Sequence, residues 1–216
     1  MFRDRRDAGR QLAEKLLSFA KAEPVVYALP RGGLPVADEV AKRLDAPLDI
    51  ILVRKLGAPG RQELAIGAVV DGAAPTIVLH QDIIAELNAP ESYIKSAEDS
   101  ALVEIERRRK LYMKDRPALS PKDRTAVIVD DGLATGATME AAVAAMRKAG
   151  AARIIVAVPV APRDTIEKLE KISDEVIAFE TPYPFWSVGS WYRSFPQLTD
   201  ADVIETLARR HAEEQS

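Results

Sequence analysis

TAVIVDDGLATGATMEAAVAAMRKAG, residues 125–150, contains three kinds of chain in succession. Ala126, Val127, Ile128 and Val129 make a short apolar run rich in β-branched side chains, the composition of a strand buried on both faces of a parallel sheet. Asp130 and Asp131 follow at once, then a loop of mostly small residues: Gly132, Leu133, Ala134, Thr135, Gly136, Ala137 and Thr138. After it Met139, Val143 and Met146 recur at helical spacing in an alanine-rich segment that stops at Gly150.

The expected chemistry follows from that order. A strand that enters a helix through a small-residue loop leaves backbone N–H groups without partners at the helix N-terminus, where the helix dipole also favours an anion. Gly136 lets a phosphate approach the backbone closely, and Thr135 and Thr138 add hydroxyl donors. Two carboxylates would repel a bare phosphate, so Asp130 and Asp131 are expected to face ribose hydroxyls or a hydrated Mg²⁺. The local expectation is a ribose 5-phosphate site; the plainer reading is a strand-loop-helix turn with a capping threonine. The chain has neither G-x-x-x-x-G-K-[ST] nor G-x-G-x-x-G, which excludes a nucleoside triphosphate P-loop and a dinucleotide fingerprint.

Residues 127–139, VIVDDGLATGATM, resemble the signature with which type I phosphoribosyltransferases bind 5-phosphoribosyl 1-pyrophosphate (PRPP). With its flanking elements the resemblance spans about residues 24–181. It implies an α/β fold: a doubly wound, mainly parallel sheet flanked by helices, with a small hood over the site. It implies Mg²⁺-dependent transfer of the 5-phosphoribosyl group to a nitrogen acceptor, a nucleobase, with release of pyrophosphate. The PRPP contacts would run from Asp130 to Thr138, with the loop from Ala134 on the 5-phosphate. Asp130 and Asp131 would take the ribose diol and, through it or through water, the metal. Members that use 6-oxopurines carry a further carboxylate where this chain has Ala134, and the loop is more similar to that of adenine-specific members.

The stretch VVYAL at 25–29 reads as another buried strand, followed by Pro30, Arg31, Gly32 and Gly33 and a helical pattern at 34–44. Taken alone, Pro-Arg-Gly-Gly is a turn. By position it matches the family loop that binds pyrophosphate, often through a non-proline cis peptide. A third strand is expected at 48–53. After it RKLGAPGRQE, residues 54–63, is basic, holds Gly and Pro and lacks periodicity, so a mobile loop is expected. It is either an ordinary solvated loop or, by resemblance, the lid that closes over PRPP, with Lys55 and Arg61 meeting the leaving pyrophosphate. Lys55, Arg31 and Asp131 are then the expected catalytic residues. The ends of three strands, Leu29, Val53 and Val129, are expected to open on one crevice.

The remaining pattern alternates strand and helix, as a doubly wound sheet requires. A helix is expected over 4–21. Residues 65–70 and 76–79 suggest a hairpin through Asp71 and Gly72, and helices are expected at 81–87 and 91–114. The basic run Arg107, Arg108, Arg109 and Lys110 lies at helical spacing from Glu104 and Glu106, so a self-paired surface is expected instead of a nucleic-acid contact. Strands at 153–159 and 175–179 flank a helix at 164–171, and a last helix covers 199–210.

Residues 181–197, TPYPFWSVGSWYRSFPQ, hold both tryptophans and, with Pro182, Pro184 and Gly189, should be irregular. The segment, extending with the last helix to residue 216, is either a wrap that buries aromatics against the core or a second copy of the chain, or a hood. In the second case Trp186 and Trp191 would stack on the acceptor.

Composition sets the outer bounds. The chain has 216 residues, enough for one domain with a real core, and 30 basic against 33 acidic side chains, which argues for neither nucleic acid nor membrane as partner. With no cysteine, thiol catalysis and zinc thiolate sites are excluded and a reducing cytoplasm is the compatible setting. Residues 1–20 carry charges throughout, so no signal-peptide core is expected there. Two classes of function stay open: a PRPP-dependent transferase, and a regulatory protein that binds PRPP or a nucleotide without turning it over. Pyrophosphate release across a panel of bases separates them.

Overall fold

The computed structural model of the chain describes residues 1–72, 75–114 and 116–214. A five-stranded sheet in the order β2-β1-β6-β7-β8 forms the centre. Its strands are β1 (Val25–Ala28), β2 (Leu48–Ile50), β6 (Thr125–Val129), β7 (Arg153–Val160) and β8 (Glu175–Glu180), and every neighbouring pair is parallel. A second, antiparallel sheet is built from β3 (Val53–Ala58), β4 (Arg61–Val70) and β5 (Thr76–Leu79).

The β-branched run at 126–129 is buried along its whole length because both faces of the sheet are covered. Successive side chains leave on opposite faces. Val127 and Val129 join Val26 and Ala28 under α1 (Arg5–Leu16) and α2 (Gly33–Leu44). Ala126 and Ile128 join Tyr27 under α5 (Ala137–Lys148) and α6 (Arg163–Leu169). The helices α3 (Gln81–Glu86), α4 (Glu91–Met113) and α7 (Asp200–Glu214) complete the fold, with α4 and α7 adding Ile105, Val203 and Leu207 to the first of these cores. Among the described residues no helix is long and apolar enough to cross a membrane.

The structure corrects the expectation for 48–63. The strand ends at Ile50, and 53–58 and 61–70 are two strands of an antiparallel hairpin, not a loop. Asp71 causes the early stop: its Oδ1 accepts from the Leu52 amide at 2.6 Å, while its own N–H donates to the Leu52 carbonyl. This pair of bonds turns the chain out of the parallel sheet and into β3. Val53 therefore begins a strand of the second sheet and does not end one of the first. The hairpin between β4 and β5 passes through Asp71 and Gly72 as expected; residues 73 and 74 lie outside the described residues.

The basic run on α4 is likewise only partly as expected. Arg107 and Arg108 bond Glu104, and Lys110 bonds Glu106. Arg109 instead turns inward, with Nη2 3.1 Å from Asp49 Oδ1 and Nη1 2.7 Å from Asp71 Oδ2, beneath side-chain exposures of 1% and 4% for the two acids. Asp49 also accepts from the Leu119 and Ile50 amides. Buried charge requires such pairing, and here the pairing fastens the second sheet and α4 to the edge of the first.

The N-terminal segment is bonded to the irregular segment before α7. Phe2 donates its N–H to the Trp191 carbonyl and accepts from the Arg193 amide, and Ser194 donates to the Arg3 carbonyl. Residues 181–197 thus form a strap laid along the N-terminal segment.

Candidate active site

The strand order reverses between β1 and β6: the chain moves from β1 to β2 on one side and returns to β6 on the other. In open α/β sheets a crevice forms at such a point, outside the carboxyl ends of the strands. Here β1 runs into the loop of Pro30, Arg31, Gly32 and Gly33 and then α2 on one face, while β6 runs into Asp130, Asp131 and the loop to α5 on the other. Ala28 and Val129 are directly paired, so the two loops leave the sheet side by side. A cleft of about 550 Å³ opens there, lined by Pro30, Arg31, Gly32, Asp130, Asp131 and Thr138 among others.

Close approach explains the glycines of the first loop. A Cβ on Gly32 would stand 2.2 Å from Asp131 Oδ2, and one on Gly33 would stand 2.6 Å from the Val129 carbonyl oxygen. The peptide between Pro30 and Arg31 is cis. Arg31 Nη1 lies 3.7 Å from Asp200 Oδ1 at the start of α7, a half-exposed ion pair of small worth that a phosphate can displace.

The second loop presents its backbone. Gly136 adopts φ +79°, the left-handed conformation that favours glycine, and no side chain caps α5. The first-turn amides of that helix lack intrahelical partners and are left for an anion. Thr165 on α6 donates its hydroxyl to the Ala134 carbonyl at 2.8 Å and so holds the loop from behind.

The acid pair is held in a low-dielectric place. Burial, and then the charge of Asp131 beside it, keep the Asp130 carboxyl well above the usual range. Asp130 Oδ1 accepts from the Asp131 amide at 2.8 Å. Burial raises Asp131 as well, and a partner absent from the sequence reasoning opposes it: Arg5, at the start of α1, donates Nε to Asp131 Oδ2 at 2.7 Å. Tyr192 of the strap donates its hydroxyl to the Asp131 carbonyl.

Other expected site residues fall elsewhere. Lys55 is exposed on β3 and lines a separate depression with Arg54, Tyr93 and Ser96, so the third loop does not share the crevice in this conformation. Arg61 begins β4 and is exposed. The strap does reach the cleft, through Val188, Phe195, Pro196 and Gln197. The tryptophans do not line it: Trp186 is 81% exposed, and Trp191 packs with Phe2 and Tyr192. Arg5 was missed because its partners lie more than a hundred residues away. The one local signal was a cation in the first turn of a helix, where the dipole disfavours it.

Among the described residues no group of three His, Asp or Glu side chains could hold a metal. Two adjacent carboxylates, one oxygen already bonded to arginine, fit instead a Mg²⁺ kept mainly by water and substrate oxygens.

Comparison with known proteins agrees with this geometry. The family described as "Phosphoribosyl transferase domain" matches residues 4–190. A Mycobacterium tuberculosis protein named "Putative phosphoribosyl transferase" is 43% identical over 211 residues, covering 98% of this chain and 47% of that protein. The chain thus spans about half the length of the curated relative it matches. The crystal structure of TT1426 from Thermus thermophilus is 44% identical, with a TM-score of 0.85 over 97% of this chain and 98% of that one. The sheet reverses between two small-residue turns, the match runs through both, and the chain belongs to the phosphoribosyltransferase family.

Proposed function

We propose that this protein transfers the 5-phosphoribosyl group of PRPP to a nitrogen acceptor, a nucleobase, in a Mg²⁺-dependent reaction that releases pyrophosphate. The observation that carries this reading is the pairing of two anion-receptive turns across one crevice, with Asp130 and Asp131 between them. The uncapped start of α5 offers amides to the 5-phosphate, with Thr138 at the rim of the cleft. Asp130 and Asp131 accept from the ribose hydroxyls. Gly32 and Gly33 bring the first loop close enough for its backbone to meet the pyrophosphate, and Arg31 exchanges Asp200 for it. Bound Mg²⁺ would neutralise charge on the pyrophosphate, and the residues that would hold it, through water or the ribose, are Asp130 and Asp131.

As the bond at C1 of the ribose breaks, positive charge grows on the sugar and negative charge on the leaving group, as in glycoside hydrolysis. The two carboxylates answer the first and the loop amides and Arg31 the second. Lys55 and Arg61 take part only if the β3–β4 hairpin swings toward the cleft. Phe195, on the strap at the mouth of the cleft, carries the Arg5 guanidinium over its ring and has Tyr192 beside it, so an acceptor would meet its edge. The residues 181–197 and the N-terminal segment together are the hood in this reading.

The test is pyrophosphate release by the purified protein with Mg²⁺, PRPP and single nucleobases, adenine among them. Release that depends on one base supports transfer. PRPP binding in calorimetry without turnover on any base would favour the regulatory reading, no PRPP binding would overturn the transferase, and no binding of PRPP or of nucleotides would overturn both.

A further inference from the structure

We propose that Arg5 is a positioning residue that fixes the Asp131 carboxylate for the sugar. This rests on reading the cleft as a PRPP site. Arg5 is the first residue of α1, where the helix dipole disfavours a cation, and its side chain is 9% exposed against 13% for Asp131. A guanidinium pays twice for that place, in desolvation and in dipole, so its bonds must answer for it.

Three contacts hold the guanidinium. Nε donates to Asp131 Oδ2 at 2.7 Å, Nη1 donates to the Pro196 carbonyl at 2.8 Å, and the Phe195 ring centroid lies 3.7 Å from Cζ. Asp131 sits at the open end of a strand, where its side chain would otherwise turn about its own bonds. Arg5 holds one oxygen, the Gly32 backbone closes one side, and Tyr192 holds the main-chain carbonyl. The carboxylate is thereby set before any ligand arrives. Such preorganisation is what makes a polar contact effective in binding and in the transition state. Because Arg5 also grips the strap, the same guanidinium joins the start of α1 and the strap to Asp131.

A purely structural clamp makes a different prediction, and a double-mutant cycle separates the two. Affinity for PRPP with Mg²⁺ is measured by calorimetry on the wild-type protein, Arg5→Met, Asp131→Asn and the double variant, with unfolding curves for each. Acting through Asp131, Arg5→Met weakens PRPP by about tenfold or more, the scale of one charge-assisted hydrogen bond. In the Asp131→Asn background the same change moves affinity by less than about twofold, because the group it positions is already altered. Equal losses in both backgrounds, or no loss in either, overturn the proposal. If Arg5→Met does not fold, Arg5→Lys keeps the charge but not the planar fork. It should weaken PRPP in the wild-type background alone, and an equal loss in both backgrounds again overturns the assignment. Failure of the wild-type protein to bind PRPP sinks the phosphoribosyl reading itself, an outcome distinct from a cycle that shows no coupling.

Discussion

Gly32→Ala tests the packing of the two loops with little interference from the backbone. Gly32 adopts φ −60° and ψ −41°, which alanine also favours. Only space opposes the substitution: the new methyl would stand 2.2 Å from Asp131 Oδ2 and 2.6 Å from its Cγ. Ordinary contact lies near 3.5 Å, so the carboxylate must retreat by about 1 Å. That retreat stretches the 2.7 Å bond from Arg5 beyond hydrogen-bond range. Overpacking costs about 1–3 kcal/mol and loss of a charge-assisted bond about 1.5–3, against a backbone gain of about 0.4–1 from removing a glycine. The expected net loss is about 2–5 kcal/mol, or roughly 4–20 °C in Tm for a chain of this size. Urea unfolding measures it as a fall in midpoint at unchanged slope. Adding Asp131→Ala removes the obstructing carboxylate, so the double variant should be more stable than the sum of the single losses allows. A Gly32→Ala protein within about 0.5 kcal/mol of wild type would refute the argument, since that is the range of substitutions with no structural consequence.

Arg109→Met should cost about 3–5 kcal/mol in denaturant unfolding, because it strands the buried Asp49 and Asp71 without their cation; a loss under about 1 kcal/mol would show that the two acids find other partners. Burial raises the Asp71 carboxyl from 3.8 to about 6, despite Arg109, so the folded state holds its proton more tightly than the unfolded one. Its contribution to stability is greatest at acid pH and falls as pH rises between those two values, and Asp71→Asn should flatten that segment of the stability-pH curve. Lys55→Ala should leave PRPP affinity within about twofold if the hairpin keeps this position, and a tenfold loss in calorimetry would mean that β3 and β4 move onto the ligand. Acrylamide should quench Trp186 far more than Trp191 in single-tryptophan variants, given their exposure and packing, and equal quenching would argue against the strap as seen here.

The parallel sheet and both anion-receptive turns were legible in the chain because each depends on neighbours in sequence. An unbroken, β-branched apolar run at 126–129 between turn residues reads as a strand covered on two faces, and small residues between strand and helix leave amides accessible. The strand at 53–58 and the first residues of the strand at 61–70 were not legible. That stretch shows no clean alternation, and what makes it strand is pairing of β3 with β4 and of β4 with β5, and packing of Leu56, Ala58 and Ile66 under α4. The tryptophans drew attention to the right segment, yet Phe195 is the ring that reaches the cleft, since the path of an irregular strap depends on the surface it lies on.

Sequence alone thus pointed to the family through the resemblance of residues 127–139, and determined the class of sheet and the two loops that line the cleft through periodicity and turn chemistry within about thirty residues. Only the tertiary structure decided which charges stand together. Arg5 and Asp131 are 126 residues apart, and Arg109 and Asp49 are 60 apart. No local pattern encodes such pairs, because burial of a charge becomes costly, and its partner becomes necessary, only after the chain has closed around it.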